Sequence, residues 1–139
     1  VAGRLREQGG AALFIDYGHA ETRTGSTVQA VADHRKVDPF ARPGEADLTA
    51  LVDFATLARV AQSRDARHLG TVEQGEWLRA LGIEARADTL MARPHLREEI
   101  ALARDRLIAA DQMGQLFKVM GLTAPRWPDG AGFPTPAQP

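Results

Sequence analysis

An α/β fold is predicted for this chain of 139 residues by three observations. A helical segment ends at a glycine pair and runs directly into an uninterrupted apolar stretch of strand length, Ala11-Ala12-Leu13-Phe14-Ile15. Two long segments carry apolar residues at helical spacing, and strand-like segments follow each of them. Helix, glycine stop and apolar strand in series are also half of a βαβ unit. The first strand of that unit would lie before Val1, so the sequence is expected to begin within an element and to be truncated.

Taken in order, residues 1–8 resemble the last turns of a helix, with Leu5 apolar, Arg4 and Arg6 suited to a helix C-terminus, and Gly9-Gly10 as the stop. Residues 11–15 read as a strand covered on both faces, the pattern of a parallel sheet. From Asp16 to Ala46 there is no sustained periodicity and only residues 27–31 alternate like a short strand, so a long ordered loop is expected, of a length that tends to be functional. A helix is predicted over 48–62 with Asp47 as N-cap, apolar on most sides and polar only along Thr49, Asp53, Thr56 and Ser63. A short strand at 68–72, a short helix over 74–81 ending at Gly82, a helix over 94–109 opened by Pro94, and a last strand at 116–122 complete the pattern. Five of the eight prolines fall from Pro125 onward, which marks residues 125–139 as a tail beyond a body of residues 1–124.

Composition narrows the function classes. One core is the ceiling at this length. Seventeen basic and eighteen acidic side chains leave a formal charge of -1, so no overall basic field draws the chain to nucleic acid or anionic lipid. The absence of cysteine excludes a disulfide framework, a thiol nucleophile and a thiolate metal site. The four histidines lack the i, i+4 spacing of a helical metal site, and no metal is expected. No apolar run approaches the roughly 20 residues of a membrane-spanning helix, and the N-terminus lacks the apolar core of a secretory signal, so a soluble chain is expected.

The residues suited to chemistry cluster after the first strand. In open parallel sheets ligands bind beyond the carboxyl ends of strands, where Asp16-Tyr17-Gly18-His19 would stand. Asp can orient a group or accept a proton, Tyr can stack or donate, and Gly lets the backbone turn. Asp16 capping its turn beside a solvated His19 accounts for the same pattern. His34 and Arg35, flanked by Asp33 and Asp38, form either a polar cluster within the loop or a solvated surface. In Pro43-Gly44-Glu45-Ala46-Asp47-Leu48-Thr49, loop closure and capping explain all but Glu45. Thr49 and Asp53 either face solvent or line a pocket. No glycine-rich nucleotide loop, phosphate loop or serine-hydrolase elbow is present.

Three segments, Ala12-Leu13-Phe14-Ile15-Asp16-Tyr17-Gly18-His19, Asp33-His34-Arg35 with Asp38-Pro39, and Pro43 to Phe54, resemble the MidA family of S-adenosylmethionine-dependent methyltransferases. Glu73-Gln74-Gly75 with Trp77-Leu78 and Leu81-Gly82-Ile83, then Met113-Gly114 and Phe117-Lys118-Val119, continue the resemblance in the same order. It spans roughly Gly9 to Thr123.

The resemblance implies the C-terminal portion of a class I methyltransferase, a Rossmann-like α/β fold contributing about three strands with helices. The last strand would be inserted antiparallel between the other two. It implies S-adenosyl-L-methionine as cofactor, held mostly by a glycine-rich loop that would precede Val1, so that the chain alone would be inactive. It further implies methyl transfer to arginine of a protein substrate, a core subunit of respiratory complex I being the specific candidate. The setting would be the bacterial cytoplasm, or the mitochondrial matrix in a eukaryote. In that reading Asp16, Tyr17 and His19 are the catalytic candidates, and Gly18, His34, Arg35, Glu45, Thr49 and Asp53 line the substrate side. Asp47 and Asp53 also suit supporting roles. The rival is a non-enzymatic module of the same ancestry that grips a partner during complex assembly. An exposed sheet edge would favour self-association.

Overall fold

The computed structural model describes residues 1–33 and 35–134. Helix α1 (Ala2–Gln8) leads through Gly9 and Gly10 into β1 (Ala11–His19), as the glycine stop predicts. Short strands β2 (Gln29–Ala32), β3 (Arg35–Val37) and β4 (Asp47–Thr49) follow, then β5 (Val52–Asp53) and α2 (Phe54–Gln62). After β6 (Arg67–Glu73) come α3 (Gln74–Ala80), α4 (Ile83–Met91), a 3-10 turn at Pro94–Leu96, α5 (Arg97–Ile108) and α6 (Met113–Leu116), and β7 (Phe117–Thr123) ends the sheet.

The main sheet has the order β5-β1-β7-β6. β7 pairs antiparallel with β1 from Ala11↔Thr123 to Tyr17↔Phe117, and antiparallel with β6 on its other side. The last strand of the chain therefore lies between two strands that run parallel to each other, the inserted arrangement expected from the resemblance. The sheet is an α/β sheet of four strands rather than three, because β5 adds a parallel pairing at Gly18↔Val52 and His19↔Asp53.

One sheet face is the core. Ala12 and Phe14 of β1 lie in register with Leu122 and Met120 of β7, and this layer packs on Leu5, Phe54, Ala58, Ala61 and Ala66. Phe54, Met120 and Val119 are essentially inaccessible, and each such side chain contributes about 1.5–3 kcal/mol by leaving water. The opposite face differs from the expectation of a strand covered on both sides: Leu13 and Ile15 are each 46% exposed. Over β6 and β7 that face is covered by Trp77 of α3 and by the chain from Trp127 to Pro134, read from the sequence as a tail. There the Arg67 guanidinium donates to the Trp127 carbonyl at 3.0 Å and pairs with Asp129, and the Phe133 ring lies 6.3 Å from that of Trp77. Residues 135–139 lie outside the described residues.

The expected long loop contains a second sheet of order β3-β2-β4, all antiparallel. This sheet corrects the start of the following helix. Asp47 is not its N-cap, because Asp47, Leu48 and Thr49 pair with Val31, Ala30 and Gln29 instead of coiling. The cap is Asp53, whose Oδ1 accepts the Thr56 amide at 2.9 Å and whose Oδ2 accepts the Thr56 hydroxyl at 2.7 Å. Helix α4, absent from the sequence reading, follows because Gly82 both ends the preceding helix and caps the next.

Candidate active site at the carboxyl ends of the strands

The carboxyl ends of β1 and β6 and the start of β7 border a crevice of about 570 Å³, whose walls include Gly18, His19, Arg23, Glu73, Gln115 and Lys118. Its geometry begins with Gly18. A Cβ there would lie 2.4 Å from the Val52 carbonyl oxygen and 2.8 Å from the Phe54 ring, so only glycine allows β5 and the start of α2 to close onto β1. That closeness sets Asp53 beside His19 in the parallel register.

The His19 side chain is 12% exposed. Its Nδ1 stands 2.7 Å from the Glu21 carbonyl oxygen, which can only accept, so Nδ1 carries the proton and donates. In the neutral ring Nε2 is then the bare acceptor, the arrangement of a base rather than a donor. Asp53 Oδ1 lies 4.0 Å from the same Nδ1. The Asp53 carboxyl is held below the ordinary carboxylate range, first by the Thr56 amide and then by the Thr56 hydroxyl, with His19 and Arg59 adding smaller favourable fields against a burial penalty. It is a helix cap first and a neighbour of His19 second.

Asp16 and Tyr17 are placed differently from His19. Asp16 Oδ1 accepts the amide of Tyr17 at 2.8 Å, the local capping that the sequence pattern also allows, and its side chain is not part of the crevice wall. The Tyr17 ring meets Phe117 edge-on at 5.8 Å, which secures the β1–β7 register. Asp16 is nonetheless the cross-strand partner of Lys118, and Lys118 is in turn the partner of Glu73. The three charges form a row across β1, β7 and β6, with Lys118 Nζ 3.3 Å from Glu73 Oε1.

The remaining predicted residues fall around the small sheet. Arg35 is exposed at the start of β3, Glu45 pairs with Arg42 at 3.3 Å, and Thr49 sits in register with Gln29. A second hollow of about 690 Å³ there is walled by Asp33, Asp38, Arg42, Glu45 and Asp47 and shares no residue with the crevice. The structure thus brings Gly18, His19 and Asp53 together and leaves Arg35, Glu45 and Thr49 apart from them, while His34 lies outside the described residues. Sequence reasoning missed Glu73 and Lys118 as site residues. Opposite charges at the end of one predicted strand and the start of another were the available signal.

Comparison with known proteins adds to this geometry. The family model described as "Putative S-adenosyl-L-methionine-dependent methyltransferase" matches residues 1–72. Protein arginine methyltransferase NDUFAF7, mitochondrial, of Rattus norvegicus is 40% identical over 122 residues, 86% of this chain and 28% of the relative. The Homo sapiens protein of the same name is 38% identical over 86% of the chain and 27% of its own length. A crystal structure of a Burkholderia thailandensis protein superposes with a TM-score of 0.79 at 30% identity, covering 91% of this chain and 36% of that one. Another from the same organism, bound to S-adenosyl-homocysteine, gives 0.70 at 30% identity over 86% of this chain and 33% of its own. The chain spans little more than a quarter of the length of the curated relatives.

Proposed function

Since the chain belongs to this family of S-adenosyl-L-methionine-dependent methyltransferases, we propose that it forms the acceptor side of an enzyme that methylates arginine in a protein substrate. The observation that carries this reading is His19, fixed through Nδ1 with Nε2 as a bare acceptor at the rim of the crevice beyond the carboxyl end of β1. The names of the relatives, all protein arginine methyltransferases, support the acceptor class. A core subunit of respiratory complex I is the specific acceptor proposed. The mitochondrial matrix is the proposed setting in a eukaryote and the cytoplasm in a bacterium.

The residues present do not by themselves fit the cofactor. Among the described residues no glycine-rich turn follows a strand and opens a helix, and Gly18 is packed against Val52 and Phe54. No residue is therefore assigned to S-adenosyl-L-methionine, whose contacts are read as lying mainly in the length of the relatives that this chain does not match. The open side of β1 is consistent with that division. β5 pairs only with Gly18 and His19, so from Ala11 to Tyr17 this edge has no partner among the described residues, beside the exposed Leu13 and Ile15.

What the chain supplies follows from acceptor chemistry. A guanidine nitrogen that gains a methyl group gives up a proton, so the acceptor side needs a carboxylate for the cation and a base for the proton. His19 Nε2 is suited to receive that proton, with Nδ1 anchored on the Glu21 carbonyl. The test is calorimetry with S-adenosyl-L-homocysteine and a methyl-transfer assay on the full-length gene product. Cofactor binding with methyl incorporation into arginine supports the reading. Partner binding without cofactor binding would instead establish the non-enzymatic module.

A further inference from the structure

We propose that Glu73, held in place by Lys118, is the carboxylate that receives the acceptor guanidinium, a role that rests on the arginine reading above. Four acidic side chains lie near His19, and their hydrogen bonds separate them. Both Asp53 oxygens are engaged by Thr56, and Asp16 is turned to the Tyr17 amide and does not reach the crevice wall. Glu21 contributes its carbonyl to His19 but is exposed, and no partner among the described residues fixes its carboxylate. Glu73 lines the crevice, is about one-third exposed, and is anchored through Oε1 alone, while Oε2 has no partner among the described residues.

Lys118 is the positioning residue. Only 13% of its side chain is exposed, and Nζ donates both to Glu73 Oε1 and to the Gln115 carbonyl, two anchors that fix the ammonium against the carboxylate. Its charge does not cancel the site. Among the described residues it engages only Oε1 of Glu73, which leaves Oε2 to meet an incoming cation. The crevice's other cation, Arg23, is exposed, where solvent and salt screen it. A guanidinium meeting Oε2 makes a charge-assisted hydrogen bond and still has further N–H groups directed elsewhere, whereas a lysine ammonium offers a point charge without that planar fork.

The experiment titrates N-acetyl-L-arginine amide into the full-length protein by saturation-transfer NMR, with S-adenosyl-L-homocysteine affinity measured in parallel. Glu73→Gln is expected to weaken the arginine probe about tenfold, as loss of one charged hydrogen bond does, with cofactor affinity unchanged. Lys118→Met is expected to weaken the probe less, and Lys118→Arg to restore it. Probe binding by Glu73→Gln equal to wild type overturns the assignment, as does a parallel loss of cofactor affinity or a wild-type protein that does not bind the probe. Should Glu73→Gln fail to fold, Glu73→Asp keeps the charge but withdraws it by one methylene, and undiminished probe binding there overturns the proposal equally. If the wild type binds no S-adenosyl-L-homocysteine, the methyltransferase reading fails separately, and the probe titration still decides Glu73.

Discussion

Gly70 and Gly121 face each other across the β6–β7 pair, and the Phe133 ring lies over the gap left by their missing side chains. A Cβ on Gly121 would stand 2.7 Å from two ring carbons of Phe133 and 3.2 Å from Leu69 Cδ1. Gly121→Ala is therefore expected to lift the ring and cost about 1–3 kcal/mol in urea unfolding, the usual range for overpacking. In a Phe133→Ala background most of that cost should vanish, since the two changes share one contact. Simple additivity of the two losses would show that the ring does not occupy the gap.

Asp53 gives a second test. Its carboxylate is held low by Thr56, so its stabilising contribution is fully present above the ordinary value of 3.8 and is lost as pH falls through the depressed folded value. Asp53→Ala should lower the thermal midpoint near neutrality. The gap between variant and wild type should narrow on acidification from about pH 6 to about pH 2, and a gap independent of pH would remove the cap from the account.

His68 has the same sign for a different reason. Burial lowers its affinity for a proton relative to the ordinary 6.5, partly countered by the Gly70 backbone, and Nε2 lies 3.0 Å from the Thr71 hydroxyl. The unfolded chain therefore binds the proton more readily, and stability falls as pH drops below 6.5. His68→Gln, which keeps a polar group near Thr71 but does not titrate, should flatten this part of the stability profile. An unchanged slope would assign it to other groups.

Activity separates His19 from Asp16. In the full-length protein His19→Gln should lower kcat by about 10²–10⁴-fold, the usual contribution of a positioned base. Asp16→Asn should lower turnover by less, because Asp16 reaches the crevice only through Lys118, and should leave the thermal midpoint near that of wild type. Equal turnover for Asp16→Asn and wild type would remove Asp16 from the site.

The main sheet was legible from its apolar segments. The runs at 11–15 and 116–122 have the lengths and flanks of strands, with only Leu116 falling in α6 instead, and the strand after α2 appeared within a residue or two. The inserted position of the last strand came from the resemblance, since periodicity carries no pairing information. The small sheet was hidden because β2, β3 and β4 are three or four residues each, too short for a pattern of period two, and the Leu48-to-Ala58 spacing fits a helix as well as a strand followed by a helix. At the site, Gly18 and His19 were visible as residues at a strand end. Glu73 and Lys118 were not, because they are 45 residues apart and meet only through β-sheet register.

The central position of β7 also dictates when the sheet can exist. β1 and β6 do not pair with each other in the main sheet, and the partner common to both, β7, is made after either of them. Ala11 finds Thr123 only after all the intervening chain has been made. Such distant pairing makes closure of the sheet slow relative to formation of the local helix pairs, and until then both strands present bare edges. Closure of this sheet is thus gated by synthesis of β7, and a nascent chain stopped before Phe117 would be a client for chaperones rather than a smaller version of the same fold.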